Sequence, residues 1–169
     1  DVIIKGILNF AKVENKENLF TQISLKEIAD LACSLLMVKH ESVQLPIKCD
    51  FGADDSIYGI KSQFIEVIYN MLDNAYEATK EMKAQFSNQD QGTFLPSVEL
   101  SLTSSADCYA IKISDNGIGI KEEDKHKIFA PFFTTKSSYK SGSGIGAYVV
   151  KRIIEENHKG KIWFVSTYL

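Results

Sequence analysis

The chain has 169 residues, the size of one domain, and 44% of them are hydrophobic, enough to bury a core without disulfide or metal staples. Its net charge of −3 gives no electrostatic reason to expect nucleic acid or an anionic membrane surface as a partner. Three cysteines without a CxxC pair predict neither a disulfide framework nor a zinc site, and no apolar run approaches the roughly 20 residues that span a bilayer, so we expect a soluble protein of a reducing compartment.

The first half of the chain predicts three helices and three short strands. Aliphatic residues at helical spacing predict helices over residues 1–14 and 61–85. A third helix begins at the capping box from Ser24 to Glu27, in which each side chain can bond the backbone amide of the other, and ends near residue 40. Short apolar runs bounded by turn residues predict strands over residues 20–23, 47–51 and 56–58.

The second half predicts a hairpin followed by helices and one more strand. Apolar residues alternate with polar ones over residues 98–102 and 109–113, which is typical of two strands buried on one face. The remaining predicted elements are a helix over 122–129, a helix over 145–157 and a strand over 161–165. This mixed order favours an α+β fold, a two-layer sandwich with helices on one face of a mixed, mostly antiparallel sheet, over a doubly wound parallel fold.

A polar stripe follows one face of the long predicted helix. Glu66, Asn70, Asn74 and Glu77 are spaced by four, four and three residues, so they stack on one side. Most such stripes are solvated helix faces. However, asparagine is a poor helix former, and its amide oxygen suits Mg²⁺, which commonly bridges substrate phosphates. The stripe therefore indicates a candidate magnesium site.

A second motif, SDNGIGI over residues 114–120, directly follows a predicted strand. Asp-Asn-Gly is ordinary turn chemistry, and a tight loop explains it on its own. The functional interpretation is that Asp115 accepts a hydrogen bond from an exocyclic amine such as that of adenine, while the glycines let a base approach the backbone.

A third motif, GSGIG over residues 142–146, leads into the predicted helix over 145–157. Glycine runs are usually flexible linkers, but free amides at a helix start form an anion site, which favours phosphate contact here. The phosphate motif GxxxxGK[ST] is absent, and the spacing is GxGxG rather than GxGxxG.

Three phenylalanines within residues 129–133 stand between a short predicted helix and a glycine- and serine-rich segment. Such residues usually belong to a core, but this position suits a hinged flap anchored by aromatic rings. Lys136 follows them and can reach phosphate oxygens, although solvation at the surface is the simpler account of a single lysine.

These motifs, in this order, resemble the ATPase domains shared by histidine kinases, gyrase, the ninety-kilodalton heat-shock chaperones and the MutL repair proteins. The matching segments are FIEVIYNMLDNAYEAT at residues 64–79 (N box), DNGIG at 115–119 (G1 box), KIFAPFFTTK at 127–136 (F box) and GSGIGAYVVKRIIEENHKGKI at 142–162 (G2 box). DNAxEAT and PFFTTK are most similar to the nitrogen-regulation and sporulation branch of the sensor histidine kinases.

The resemblance implies a Bergerat fold that binds ATP and Mg²⁺. Asn70 and Asn74 would then hold the metal and the phosphates as the catalytic and metal-binding residues, and Asp115 would bind the adenine amino group. The other implied nucleotide contacts lie in the G1, F and G2 boxes. They are Gly117, Gly119, Ile120, Phe132, Thr135, Lys136, Gly142, Gly144 and Gly146.

The resemblance also implies a domain division and partners. Residues 1–16 resemble the end of a dimerisation-domain helix, and residues 17–169 the catalytic ATP-binding domain. The implied partners are a histidine-bearing dimerisation domain of the same kinase and a response regulator. We expect no nucleic acid, a cytoplasmic location, and membrane contact only through other parts of the protein.

Three functions fit the motifs, and the leading one is transfer of the γ-phosphoryl group of Mg·ATP to a histidine on a separate domain. His40, His126 and His158 do not stand in the H-box context of a phosphoacceptor histidine. The second is an ATP-hydrolysing clamp like gyrase or MutL, but there the general-base glutamate occupies the position of Asn70. The third is a nucleotide-binding interaction module without transfer chemistry, like an anti-sigma factor. Departures from the kinase pattern are Glu77, where many kinases have a basic residue, and Ala147, where leucine is usual.

Overall fold

The structure, a computed structural model, describes residues 19–40, 46–52, 54–88, 93–105, 107–135 and 144–169. The helix predicted over residues 1–14 and the domain division at residue 16 lie outside the described residues. The chain forms two compact units, Asp1–Gly117 and Ile118–Leu169. No helix in the described part of the chain is long and apolar enough to cross a membrane.

The described residues of the first unit form five strands and two helices, close to the predicted positions. The strands are β1 (Thr21–Ser24), β2 (Ile47–Asp50), β3 (Ser56–Gly59), β4 (Val98–Ser104) and β5 (Tyr109–Asp115). The helices are α1 (Leu25–Lys39) and α2 (Lys61–Asn88).

The strands form two separate sheets in the described residues. β1 pairs with β3 in antiparallel orientation. The other sheet has the order β2-β4-β5, in which β2 pairs parallel to β4 and β4 pairs antiparallel to β5. The predicted hairpin and the predicted mixed sheet are therefore confirmed, although β2 and β3, which follow each other in the chain, lie in different sheets.

Helix α1 begins as the capping box predicts, with one difference. The Ser24 Oγ accepts a hydrogen bond from the Glu27 amide at 3.1 Å and donates one to the Asp55 carboxylate. Asp55 also accepts from the Lys26 amide at 3.0 Å. The Glu27 carboxylate, expected to reach back to Ser24, lies instead 3.1 Å from the Lys61 ammonium at the start of α2. The cap is thus shared between Ser24 and a carboxylate from the loop before β3.

The core of this unit lies between the two helices and the β4 strand. Helix α2 contacts α1, β4 and β5. The two helices and β4 all contribute fully buried side chains, which include Leu25, Ile28, Leu36, Ile68, Leu72, Val98 and Leu100. Burial of one such aliphatic side chain contributes about 1.5–3 kcal/mol, so this apolar contact fixes which face of α2 points away from the core.

The second unit contains a 3₁₀ helix (Glu122–Lys127), helix α3 (Gly146–Arg152) and a π-helical turn (Ile153–Asn157). The helix predicted over 145–157 is therefore present, but its last turn closes with wider hydrogen bonds, including one from the His158 amide to the Ile153 carbonyl. The strand predicted over 161–165 is wrong: residues 159–169 form no regular element. They retain the alternation, with Ile162 and Phe164 half-buried and Trp163 and Val165 exposed.

Candidate active site

The polar stripe lies on helix α2 as predicted, on the side away from its buried residues. Asn70 is half-buried, and its Nδ2 donates to the Glu66 carbonyl at 2.7 Å, which leaves its Oδ1 for another partner. Asn74, one turn further, is exposed, and its side chain makes no hydrogen bond with the other described residues. Two amide oxygens one turn apart are therefore held ready by a helix that is anchored on its other side.

These two amides fit Mg²⁺ as part of its ligand set. Mg²⁺ takes six oxygen ligands, so most of them must come from phosphates and water. The described residues contain no group of three or more His, Cys, Asp or Glu side chains that could hold a metal on its own. A site of this kind is complete only with a nucleotide bound.

The sequence did not single out a charged cluster on the neighbouring face of α2. The Asp73 carboxylate lies 2.7 Å from both the Lys39 ammonium and the His40 Nε2, and the His40 Nδ1 lies 3.7 Å from Glu77. Burial lowers the pKa of Lys39, but the hydrogen bond and charge of Asp73 outweigh it, and the pKa is raised overall. Lys39 therefore stays protonated. Two features of the sequence could have indicated this cluster. They are Lys39 and His40 at the end of α1, and Asp73 directly before Asn74 in the N box.

Asp115 is the last residue of β5 and is fixed by its own loop. Its Oδ1 accepts from the Gly117 amide at 2.9 Å. Asn116 ties the loop to the segment just before β4, because its side chain donates to the Leu95 carbonyl and accepts from the Ser97 amide, both at 2.9 Å. Burial raises the pKa of Asp115, and the Gly117 hydrogen bond partly offsets this. Much of the side chain remains exposed, so the carboxylate is held firmly but can still bind a donor.

Gly117 is required by a close approach of two backbones. A Cβ at this position would lie 2.5 Å from the carbonyl carbon of Ala78 and 2.6 Å from its Cβ. Ala78 lies one turn beyond Asn74 on α2, so the structure brings Asp115 and Gly117 against the helix that carries both asparagines. The sequence predicted that a base would approach these glycines, and the structure shows that α2 already does so at Gly117.

Gly119 and Ile120 belong to the second unit and lie beside the end of the chain. Gly119 has a φ of 78°, and a Cβ there would overlap the Thr167 carbonyl oxygen. The Ile120 amide donates to the Ser166 Oγ at 2.9 Å, and the Leu169 amide donates to the Ile118 carbonyl at 3.1 Å. Residues 166–169 thus hold residues 118–120 by individual hydrogen bonds, and no strand is formed between them.

The F box is anchored by aromatic rings, with one ring left outside. Phe129 and Phe133 are half-buried, and Phe129 packs edge-on against Phe164 with ring centroids 5.8 Å apart. Phe132 is 74% exposed and has a φ of 65°, while Thr135 is exposed. Of the three phenylalanines that were predicted to anchor a flap, two are thus half-buried and Phe132 is exposed.

The G2 glycines are only partly described. Gly144 has a φ of 66°, and a Cβ there would lie 2.5 Å from the Phe132 carbonyl carbon, so Phe132 of the F box and Gly144 of the G2 box approach each other closely. Gly146 is the first residue of α3. Lys136 and Gly142 lie outside the described residues.

Comparison with known proteins decides the family. Residues 59–168 match the family model described as "Histidine kinase-, DNA gyrase B-, and HSP90-like ATPase". The chain belongs to this family. Membership implies that the domain binds ATP.

The similar solved structures are histidine kinase catalytic domains. The catalytic domain of the histidine kinase ThkA is 27% identical, with a TM-score of 0.67 and coverage of 86% of both chains. The complex of ThkA with the response regulator TrrA is 25% identical, with a TM-score of 0.64, and covers 96% of this chain and 42% of that one. The fold expected for an ATPase domain of this family is thereby confirmed.

The curated relatives include several sensor kinases. The Phytochrome-like protein Cph1 of Synechocystis is 27% identical over 97% of this chain, and the probable C4-dicarboxylate sensor kinase of Halalkalibacterium halodurans is 30% identical over 94%. Sporulation kinase B of Bacillus subtilis is 26% identical over 98%. The chain spans only 20%, 29% and 35% of these three relatives.

Proposed function

We propose that this chain is the ATP-binding catalytic domain of a histidine kinase, which donates the γ-phosphoryl group of Mg·ATP to a histidine on a separate dimerisation domain. One observation carries the proposal. Within one unit, Asn70 and Asn74 lie on the outer face of α2, and Gly117 brings the Asp115 loop against the same helix. Phosphoryl transfer needs mainly positioning and charge neutralisation, which such an arrangement supplies.

Each part of the site has one proposed task. The Oδ1 atoms of Asn70 and Asn74 hold Mg²⁺, which neutralises phosphate charge when it is bound. Asp115 accepts a hydrogen bond from the adenine amino group and so fixes the base. The remaining residues contact the nucleotide from the G1, F and G2 boxes. They are Gly117, Gly119, Ile120, Phe132, Thr135, Lys136, Gly142, Gly144 and Gly146.

Transfer is favoured over hydrolysis because the residue one turn before Asn74, where the clamp ATPases carry their general-base glutamate, is Asn70. Asn70 carries an amide, which cannot take a proton from water. Glu66 lies a further turn away, about 6 Å along the axis at 1.5 Å per residue. We infer that the acceptor histidine lies on another domain, since the His40 Nε2 is 2.7 Å from the Asp73 carboxylate and the His158 Nδ1 is 2.9 Å from the Ile153 carbonyl.

The same proposal names the partners and the boundaries. ThkA was solved in complex with a response regulator, and we infer that a response regulator also acts downstream of this chain. Residues 1–16 would be the end of the dimerisation domain and residues 17–169 the catalytic domain. We place the domain in the cytoplasm, with membrane contact only through other parts of the protein and with no nucleic-acid partner.

The test is transfer in trans. The chain is incubated with γ-labelled Mg·ATP and a separately purified dimerisation domain, and the label on that domain is followed with time. Labelling that requires the phosphoacceptor histidine, and that is lost in the Asn74→Ala variant, is the expected result. Tight ATP binding with no transfer to any dimerisation domain tested would contradict the proposal and favour the interaction module, whereas fast phosphate release would favour the clamp ATPases.

A further inference from the structure

A charged cluster joins the end of α1 to α2 next to the two asparagines. Asp73 stands between Lys39 and His40, with both of its oxygens at 2.7 Å from a nitrogen. His40 also faces Glu77 at 3.7 Å. The side chains of His40, Asp73 and Glu77 are only 12%, 13% and 16% exposed, and that of Lys39 is 25% exposed. Charges this shielded from water act on their surroundings more strongly than surface pairs do.

The two carboxylates neighbour the asparagines on the helix surface. Residues three apart on an α-helix have Cβ atoms about 5–6 Å apart. Asp73 is three residues after Asn70, and Glu77 is three residues after Asn74, in the uninterrupted helix Lys61–Asn88. The negative charges of Asp73 and Glu77 therefore lie close to the place where the proposed function puts the nucleotide phosphates.

Apolar contact already holds α1 against α2 without these charges. Leu35 and Leu36 of α1 and Ile68 and Leu72 of α2 are all buried. The Lys39 Nζ also lies 6.0 Å from the centre of the Tyr69 ring. The ring centres of His40 and Tyr76 are 4.3 Å apart. The Lys39–Asp73 ion pair can therefore have a role other than joining the two helices. An uncompensated carboxylate beside a phosphate chain would repel that chain, and the ion pair prevents this.

We propose that the Lys39–Asp73 ion pair, which lies beside His40 and Glu77, neutralises the charge of Asp73 on this side of α2 and so sets the affinity for the phosphate chain of the nucleotide. The proposal rests on the proposed ATP site. Lys39 touches no substrate in it, and acts only by cancelling the charge of Asp73. Its effect must therefore grow with the number of phosphates and vanish for a ligand that has none.

The experiment measures binding of Mg·ATP, Mg·ADP and adenosine by titration calorimetry. Lys39→Met keeps the packing of the stem and removes the charge. We expect ATP to bind about fivefold to tenfold more weakly, ADP to be affected less and adenosine not at all. Added salt should reduce the difference, because it screens charges. Lys48→Met is the matched control, since it removes the same charge from an exposed pair with Glu99 in the same unit.

Removal of the charge of the partner residue distinguishes neutralisation from a structural role. Asp73→Asn leaves Lys39 uncompensated and should tighten ATP binding, and the double variant Lys39→Met/Asp73→Asn should return to within about twofold of wild type. A merely structural pair would weaken binding in both single variants, and would weaken adenosine as much as ATP.

The outcomes separate this inference from the proposed function. Wild-type protein that binds neither ATP nor ADP overturns both. If the wild-type protein binds ATP, any of three results overturns only the proposed role of the ion pair. These are an unchanged ATP affinity in Lys39→Met, a weaker ATP affinity in Asp73→Asn, and equal losses of affinity for ATP and adenosine. Opposite signs for the two single variants, confined to phosphorylated ligands, establish it.

Discussion

Asp115 combines two properties that oppose each other in a carboxylate. The Gly117 amide hydrogen bond favours the ionised form, and burial disfavours it, with the net result of a raised pKa. A carboxylate of this kind is fixed in direction by the Gly117 amide while much of it stays exposed, so a new donor can reach its free oxygen. Such a group is suited to select an amine of a ligand rather than to stabilise the fold.

The first prediction concerns Asp115→Asn. The new amide would place a donor against the adenine amino group, and we expect adenosine and ATP to bind about 1.5–3 kcal/mol more weakly. Wild-type affinity should also fall on acidification at a higher pH than an ordinary aspartate would give, because the raised pKa protonates the carboxyl earlier. Calorimetry across pH checks both, and unchanged affinity in the variant would remove Asp115 from the adenine site.

This pH effect is distinguishable from acid unfolding. A carboxyl whose pKa is raised by folding takes up a proton more readily in the folded state, so its contribution to stability grows as the pH falls. Loss of nucleotide binding at a pH where the circular dichroism is unchanged would therefore report Asp115 itself.

Gly117 gives the second prediction, which separates contact from backbone strain. Gly117→Ala would place a Cβ 2.5 Å from the backbone of Ala78, and we expect it to destabilise the protein by about 1–3 kcal/mol and to weaken nucleotide binding. Gly52→Ala is the control: Gly52 has a φ of 65° with nothing within 4 Å of a Cβ, so it meets strain without a clash. Denaturant unfolding and calorimetry check both variants. Normal binding by Gly117→Ala would show that the approach of the loop to α2 is not needed.

Among the elements, helix α2 positions the site because its different faces have different surroundings. One face buries Ile68 and Leu72, and another presents Asn74 to solvent. The helical periodicity made this division predictable from sequence. Periodicity could not predict that Asp73 and Glu77, on a third face of α2, would meet Lys39 and His40. A contact between α1 and α2 depends on tertiary packing.

The third prediction follows from the exposure of Asn74. Asn74→Ala leaves no cavity and removes no hydrogen bond to the described residues, so we expect unfolding free energy within about 0.5 kcal/mol of wild type. Mg²⁺-dependent ATP binding should be lost. Titrations with and without Mg²⁺, alongside denaturant unfolding, check this. A variant that unfolds, together with a wild type that ignores Mg²⁺, would show that the stripe is structural.

The errors made from sequence have a common cause. The segment 161–165 has a strand's alternation, but a strand exists only where a partner completes its hydrogen-bond ladder, and the described residues offer it none. In the same way, the capping box fixed the start of α1 at Ser24, but the partner of Glu27 proved to be Lys61, which is distant in sequence. Local patterns gave the elements, whereas partners from distant segments could not be read from them.

At the scale of the whole molecule, the motifs divide between the two compact units. The N box and Asp115 with Gly117 belong to Asp1–Gly117, while Gly119, the F box and the G2 box belong to Ile118–Leu169. Of the three histidines, His40 belongs to the first unit, and His126 and His158 belong to the second. His40 is bound to Asp73, and His158 to Ile153 in its own turn. His126 lies in the 3₁₀ helix and is exposed.

The last prediction is that this chain alone binds ATP but neither phosphorylates itself nor hydrolyses ATP quickly. Transfer requires an acceptor within roughly 3–3.5 Å of the γ-phosphate, and hydrolysis requires a base, which Asn70 cannot be. Incubation with γ-labelled ATP, with and without a dimerisation domain, measures both reactions. His126→Gln is the control for the one exposed histidine of the described residues. Label on the chain itself that is stable in base and lost in acid, as phosphohistidine is, would show that the acceptor lies within this sequence.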